Sequence, residues 1–241
     1  MTRAFDRTAA DRPSLFDVAS HTPALEDVSV RVVPVRTIRR AIVVGHYSGV
    51  MPDAVQEAVA AFDGLTLVAA VAFGPGGNAA TFNAVFPGST SSTARELVRL
   101  WVIDGAPKNT ASFVVARAMR LLPADVSLVV SFADSGQGHL GTVYQSLNFR
   151  YLGMSSEGTR YVDSSGVEVT SRLANVYRMR NPTRFGDMTL AHVRQELGWT
   201  PVVSHQKHRY AIGCGRRRRA VNRVLDAACK PYPKMQMEVM S

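Results

Sequence analysis

The 241-residue sequence lacks the features that mark membrane, exported or disulfide-stabilised proteins. Its longest apolar run, residues 65–73, is about half of the ~18 residues that a membrane span requires, and it predicts a buried strand instead. The first 27 residues carry charges of both signs and no apolar signal segment. Two cysteines are too few for a disulfide framework or a four-cysteine zinc site. We therefore expect a cytoplasmic protein without a membrane partner, beginning with a flexible arm over residues 1–27.

Positive charge is concentrated in one segment. Nine cations and one acid in residues 205–234 account for eight of the nine net charges of the chain. Because cations placed on phosphates release condensed counterions, such segregation favours a nucleic-acid partner, and interleaved aromatic residues strengthen that interpretation. The alternative is a solvated basic tail without a partner. The DNA-binding candidates are Lys207, Arg209, Tyr210, Arg216, Arg217, Arg218 and Arg219.

The hydrophobic pattern predicts a mixed α/β architecture. Two central strands, residues 96–103 and 127–132, are joined by a helix over 110–122 and are therefore expected to be parallel. In the first of them, Leu97, Arg99 and Trp101 alternate onto one face. The other predicted strands are residues 28–36, 65–73, 80–86 and 174–179, with a hairpin over 159–170; the other predicted helices are residues 37–44, 141–147 and 189–197. A boundary at residue 181 divides a domain over 28–180 from a basic DNA-binding extension over 181–241.

Residues 141–153, GTVYQSLNFRYLG, resemble the motif that closes the core of the GNAT acetyltransferase superfamily. There, a tyrosine on a short helix is followed by glycine, phenylalanine and a strand. Asn148 replaces the glycine, which is a mild change because asparagine tolerates the left-handed end of a helix. The resemblance implies a GNAT-like mixed sheet flanked by helices, and it gives Tyr144 the role of protonating the departing thiolate of coenzyme A. The alternative interpretation is a core aromatic residue.

A second GNAT-like feature is the loop that opens the helix at residue 110. Free amides at a helix N-terminus bind phosphate, and GNAT proteins bind the pyrophosphate of coenzyme A there on a glycine-rich loop. This loop departs from that pattern, because no glycine follows Gly105. The candidate cofactor-binding residues are Lys108, Asn109, Thr110 and Ser112. The alternative is that Asn109 and Thr110 only cap the helix.

Five segments taken together, ELVRLWV, PKNTASF, SFADSGQGHLGTVYQSLNFRYLG, KHRYAIG and PYPK, resemble the bacteriophage Mom family of DNA-adenine modification proteins, a divergent GNAT branch. The resemblance spans residues 46–234. It implies a transferase that places a carbamoylmethyl group on the exocyclic amine of adenine in double-stranded phage DNA and so protects it from host restriction. Acetyl transfer alone gives an amide and not this product. The expected donor is therefore acetyl-CoA followed by further chemistry, or another activated acyl or glycine-derived species.

The same resemblance assigns the candidate catalytic residues, which are His46, Tyr47, Arg99, Asp134 and Tyr144. Arg99 lies in an apolar strand and needs a partner, for which Asp134 is the natural choice. His46 is the expected acceptor of the amine proton, with His139 as a rival. His46, Asp134 and His139 also form a candidate iron site, because imidazole and carboxylate suit non-haem iron. The target base must leave the duplex and stack on aromatic side chains such as Tyr47, Trp101 and Tyr144.

Two other functions remain open at this point. One is an ordinary acetyl-CoA-dependent N-acetyltransferase that acts on a protein or a small amine. The other is a non-catalytic nucleic-acid-binding protein built on a GNAT-like core, which the missing phosphate-loop glycines favour.

Overall fold

The computed structural model describes residues 25–76, 79–169 and 173–234, so most of the expected N-terminal arm lies outside the described residues. Seven strands form one mixed sheet. They are β1 (Ser29–Val33), β2 (Glu57–Asp63), β3 (Thr66–Gly74), β4 (Ala94–Val102), β5 (Leu128–Asp134), β6 (Arg150–Met154) and β10 (Lys207–Gly213). Their order across the sheet is β1-β2-β3-β4-β5-β10-β6. All neighbours are antiparallel except β4 and β5, which are parallel as expected.

Helices cover both faces of this sheet. The helices are α1 (Val35–Gly45), α2 (Ala79–Val85), α3 (Thr110–Arg120), α4 (Thr142–Ser146) and α8 (Arg218–Ala228). Alternate side chains of β5 show the two layers, since Leu128 and Val130 pack with α2 and α8 while Val129 packs with α3 and α4. Helix α1 covers β2 and β3 on the α2 side. The expected mixed sheet flanked by helices is confirmed.

A smaller unit is inserted between β6 and β10. It contains a three-stranded sheet in the order β8-β7-β9 and three short helices around a separate core. Its elements are β7 (Gly158–Val162), β8 (Glu168–Val169), α5 (Leu173–Arg180), α6 (Pro182–Phe185), α7 (Leu190–Glu196) and β9 (Thr200–Ser204). Its core consists of Ala174, Phe185, Val193 and Trp199. None of the helices in the described ranges is both long and apolar enough to cross a membrane.

Two predicted strands are helices in the structure. Residues 80–85 belong to α2 and Phe86 follows it directly, because Phe82, Val85 and Phe86 recur at helical spacing and all pack onto the sheet. Residues 174–179 belong to α5, which packs against α6 and α7 in the inserted unit. Strand β2 was not predicted. Its sequence, EAVAAFD, is rich in alanine and carries little β propensity, so only its central position makes it a strand.

The basic segment differs most from its prediction. Its first part forms β10, which lies between β5 and β6 in the main sheet, so a boundary at residue 181 does not separate this strand from the core. Tyr210, expected on the DNA-binding surface, is fully buried. Its ring packs 5.4 Å from that of Tyr144, and its hydroxyl donates to the carbonyl of Leu140 and accepts from Nε2 of Gln145 at 3.1 Å. Tyr210 therefore supports the residues around α4.

Replacing Tyr210 with phenylalanine tests this structural role. The Tyr210→Phe protein should lose about 1 kcal/mol of unfolding free energy, since one buried hydrogen-bonded hydroxyl is removed. Its affinity for duplex DNA should equal that of the wild type. Tyr232→Phe is the matched control, because the Tyr232 hydroxyl bonds to the Phe149 carbonyl on a partly exposed ring, and it should change stability less. Normal stability with weakened DNA binding in Tyr210→Phe would contradict the burial.

Candidate active site

The site begins where the two parallel strands separate. Strands β4 and β5 pair only from Ala94 opposite Leu128 to Leu97 opposite Ser131. Directly after that pair, the register with β3 shifts so that Val98 is an extra residue, which makes a β-bulge. The bulge also reverses the predicted alternation, because Leu97 faces α3 whereas Trp101 faces α1. A cavity of about 520 Å³ lies between the separated strand ends.

Side chains from five separate segments line this cavity. The end of α1 and the turn after it bring Gly45, His46 and Tyr47, and the bulged part of β4 brings Arg99 and Trp101. The end of β5, the loop after it and α4 bring Asp134, His139 and Tyr144. The structure thus brings together all five candidate catalytic residues and both histidines of the sequence-based hypothesis.

Tyr144 forms the floor of the cavity. Its side chain is 9% exposed and packs against Phe149 and Tyr210, at ring distances of 5.5 and 5.4 Å. Burial raises the pKa of its phenol to about 12, although a side-chain hydrogen bond with Ser131 opposes the shift. At neutral pH the hydroxyl therefore carries its proton and acts as a donor.

His46 is neutral at physiological pH. Burial, followed by the nearby charges of Arg99 and His139, lowers the pKa of its imidazole to about 4. Nδ1 accepts the backbone N–H of Ser48 at 3.1 Å, so the ring proton of the neutral form lies on Nε2. The geometry thus favours His46 as a hydrogen-bond donor through Nε2 rather than as the expected proton acceptor.

Arg99 and Asp134 both lie close to Tyr47. Burial, followed by the charge of Asp134, raises the pKa of the Tyr47 phenol, whereas Arg99 lowers it. The guanidinium of Arg99 donates to the carbonyls of Val50 at 2.9 Å and of Val98 in the bulge at 2.7 Å. These bonds hold its charge at the cavity wall.

The carboxylate of Asp134 has a partner that the sequence did not indicate. Its Oδ2 lies 3.6 Å from Nζ of Lys207, a residue expected to bind DNA, and its Oδ1 accepts the backbone N–H of Gly136 at 3.0 Å. The pairing of Lys207 with Asp134 was not predicted, because the antiparallel register of β10 with β5, which sets Lys207 opposite Asp134, leaves no local signal in the sequence. Ser48 was also missed, although its position two residues after His46 is a typical turn spacing.

Aromatic rings form the mouth of the cavity. The Tyr47 ring lies 4.3 Å from the His46 ring and contacts the His139 ring edge-on at 5.3 Å. Tyr47 is 53% exposed, so its ring is available to a ligand. Trp101 packs against Gly45, where any Cβ would collide with the indole, and this close approach explains the glycine at the end of α1.

The expected iron site is not supported. Within the described ranges no group of three or more His, Cys, Asp or Glu side chains has an arrangement that holds a metal ion. In particular, Nδ1 of His46 is bonded within its own turn and Asp134 is paired with Lys207.

The candidate cofactor-binding residues around the start of α3 lie beside the cavity and do not line it. The hydroxyls of Thr110 and Ser112 donate to the carbonyls of Pro107 at 2.7 Å and of Asn109 at 3.0 Å. Asn109 has a left-handed backbone with φ of 71°, directly before α3. Lys108 is exposed, and the first turn of α3 contains no acidic residue. This helix end therefore suits an anionic group.

Arg216 to Arg219 are exposed, as a DNA contact requires. However, β10 runs from Lys207 opposite Asp134 to Gly213 opposite Leu128. These arginines therefore follow the end of β10 that is farther from the cavity. Six residues of extended chain span about 20 Å. Arg209, the remaining candidate, is half-buried in β10, and its guanidinium donates to the Leu152 carbonyl at 3.3 Å.

A mixed sheet flanked by helices, with Tyr144 on the short helix α4, is the GNAT-like arrangement that the motif around Tyr144 predicted. The fold is therefore of the GNAT-like class. The chain belongs to the Mom protein family, whose family model matches residues 27–234.

The chain is also similar to individual proteins. The methylcarbamoylase Mom of Escherichia phage Mu is 27% identical over 212 residues, which is 87% of this chain and 85% of that protein. Among solved structures, the ribosomal-protein-S18-alanine N-acetyltransferase of Escherichia coli gives a TM-score of 0.42 at 7% identity, over 78% of this chain and 94% of that one. The IAA acetyltransferase of Bacillus cereus gives 0.43 at 12% identity, over 77% and 99%.

The low pKa of His46 has a measurable consequence for stability. Its folded-state pKa of about 4 lies below the ordinary value of 6.5, so between these pH values the unfolded chain binds more protons and stability falls as the pH falls. The melting temperature of the wild type should therefore drop more steeply from pH 6.5 to 4.5 than that of His46→Gln. His192→Gln, at an exposed histidine of α7, is the control and should follow the wild type. Parallel curves for His46→Gln and the wild type would contradict the buried neutral state.

Proposed function

We propose that this protein is a DNA-modifying transferase that alters the exocyclic amine of adenine in double-stranded phage DNA by carbamoylmethylation. The observation that carries the proposal is the convergence of five candidate catalytic residues, spread over about a hundred positions of the chain, on one cavity. The name of the phage Mu relative, a methylcarbamoylase, supports the kind of group transferred. The reaction would take place in the cytoplasm of the host and protect the DNA from restriction.

The cavity suits a single flipped base. Its volume of about 520 Å³ lies within the range of ligand pockets. An adenine inside a duplex hides its amine in the base pair, so the base must rotate out of the stack before an enzyme can act on it. Tyr47 at the mouth and Trp101 in the wall offer flat surfaces for stacking. Phosphate contacts elsewhere on the protein would supply the energy of unstacking.

An activated acyl donor, as coenzyme A thioester or as a glycine-derived species, would bind beside the base. Lys108 and the amides of the first turn of α3 would hold its phosphates, because this helix end is basic and free of acids. Asn109, Thr110 and Ser112 shape that turn through their backbone and hydroxyl contacts. The bound donor would supply an electrophilic carbon and a leaving group. A glycine-derived donor would present a methylene carbon, whereas an acetyl thioester would give an amide that further chemistry must convert into the carbamoylmethyl group.

Residues of the chain would accept one proton, donate another and stabilise one developing negative charge. As the adenine nitrogen bonds to the donor carbon, it loses a proton, and Asp134 is the carboxylate of the described cavity lining that can accept it. The protonated hydroxyl of Tyr144 gives a proton to the leaving group. Arg99 and Nε2–H of His46 are fixed donors at the cavity wall and stabilise negative charge that develops between them.

Mass spectrometry of nucleosides tests this function. DNA from cells that express the protein should contain a new adenosine derivative whose mass increase matches a carbamoylmethyl group, and DNA from cells with an empty vector should not. An acetylated protein or small amine with unmodified DNA would identify an ordinary N-acetyltransferase instead. DNA binding without any new product would identify a non-catalytic binding protein.

Tyr144→Phe keeps the ring and removes the proton donor. We expect modified adenine to fall at least tenfold, the lower end of the ~10²–10⁴-fold effects of general acid catalysis. The melting temperature and the duplex affinity should change little, because the ring still fills the core. Tyr177→Phe, on the exposed surface of α5, is the control and should modify DNA normally. Wild-type modification by Tyr144→Phe would reduce Tyr144 to a packing residue.

The arginine run at residues 216–219 should contribute affinity without base recognition, since phosphate contacts do not read sequence. Replacing all four with alanine should weaken binding equally on A·T-rich and G·C-rich duplexes. The slope of log K against log salt should become shallower by about 0.9 for each lost contact. An unchanged slope in this variant would exclude the run as a DNA contact.

A further inference from the structure

A second basic surface lies next to the cavity, on the outward side of α1. Arg36, Arg39 and Arg40 are all exposed, and α1 contains no acidic residue. Within the described ranges none of the three forms a salt bridge. We call these three residues the α1 arginines.

The opposite side of α1 packs against the main sheet. Ile38, Ala41 and Ile42 are buried against β2 and β3, so helical geometry turns Arg36 and Arg40, four residues apart, directly outward. The packing of α1 therefore needs no arginine at these positions.

The helix dipole argues against a stabilising role for Arg36. Pro34 precedes the helix, so Arg36 lies in its first turn, whereas Arg39 and Arg40 lie in the middle of its 11 residues. Positive charge in the first turn of a helix meets the positive end of its dipole and is unfavourable there, an effect that fades beyond that turn. Among the described residues, an unpaired cation in the first turn and two more cations without a salt bridge on the same helix point to an external anion.

Distance places the α1 arginines near a base in the cavity. Helix α1 ends at Gly45, which lines the cavity, and each helical residue rises ~1.5 Å. Arg40 and Arg36 thus lie about 8 and 14 Å along the helix axis from that end. Successive phosphates of one DNA strand are ~3.4 Å apart along the duplex axis, so these distances correspond to two to four nucleotides. The arginines at residues 216–219, about 20 Å away, correspond to about six base pairs.

We infer that the outward face of α1 binds the DNA backbone within a few nucleotides of the target adenine, with Tyr47 at its cavity end. The inference rests on the proposed function only for the identity of the target base, which is adenine. The contact with the DNA backbone depends on the α1 arginines alone. The arginines at residues 216–219 then form a distant second contact on the same duplex.

Two matched variants test the α1 contact. Arg36→Gln/Arg40→Gln removes two exposed arginines from α1, and Arg117→Gln/Arg120→Gln removes two exposed arginines from α3, on the opposite face of the sheet. Binding to a 30-base-pair duplex is measured by fluorescence anisotropy over a salt series. The α1 variant should bind more weakly, with a salt slope shallower by about 1.8, whereas the α3 variant should keep the wild-type slope.

Melting temperatures monitor the folding of both variants, because the helix dipole is expected to affect their stabilities in opposite directions. The melting temperature should stay constant or rise in the α1 variant, and it should stay constant or fall in the α3 variant, whose arginines lie in the last turn of α3. Arg36→Lys/Arg40→Lys keeps the charge and should restore both DNA affinity and adenine modification in cells. If the glutamine variant does not fold, Arg40→Gln alone should still make the salt slope shallower by about 0.9, and an unchanged slope in that variant would overturn the inference.

The inference is overturned if Arg36→Gln/Arg40→Gln binds duplex with the wild-type slope, or if the α3 variant loses as much. A wild-type protein that binds DNA through α1 but produces no modified adenine would refute the proposed function alone.

Discussion

The separation of two parallel strands creates the site on which the other features depend. Strand β4 carries an extra residue, Val98, directly after its last pair with β5, and a bulge of this kind bends a strand and strengthens its twist. Beyond Leu97 and Ser131 the strands part, and the Ser131 hydroxyl bonds to the Leu97 carbonyl at 3.1 Å at that point. The carbonyl of Val98 in the bulge also holds Arg99 at the wall of the resulting cavity.

The position of β10 divides the basic residues of the C-terminal segment into different roles. Its first residue, Lys207, lies beside Asp134 at the cavity edge, and its centre holds Tyr210 beneath α4. Only the part after the strand, from Arg216 onward, forms an exposed basic surface. The basic segment therefore supplies a counter-ion for Asp134 and a core residue from β10, and an exposed basic surface after that strand.

The predictions were correct for those elements whose structure is determined by the local sequence. The parallel pair, the crossover helix and the short helix of Tyr144 follow from hydrophobic period, caps and a recognisable motif, and all were predicted. Strand β2 was missed and residues 80–86 were assigned the wrong element because short alanine-rich or apolar segments fit either structure until their neighbours are known. Arg99 and Tyr210 show the same limit. The backbone partners of Arg99 follow from a bulge that its own sequence does not reveal. Tyr210 was expected at the surface, but a strand that joins the sheet late in the chain buries it.

A base that enters the cavity would lie beside Trp101, so tryptophan fluorescence tests the proposed entry of adenine directly. The chain has two tryptophans, and the other, Trp199, lies in the core of the inserted unit, so Trp199→Phe leaves Trp101 as the sole reporter. An A·T duplex should quench the emission of Trp101 on binding, whereas a G·C duplex should bind through its phosphates with much weaker quenching. Equal emission with both duplexes at saturation would show that no adenine reaches the cavity.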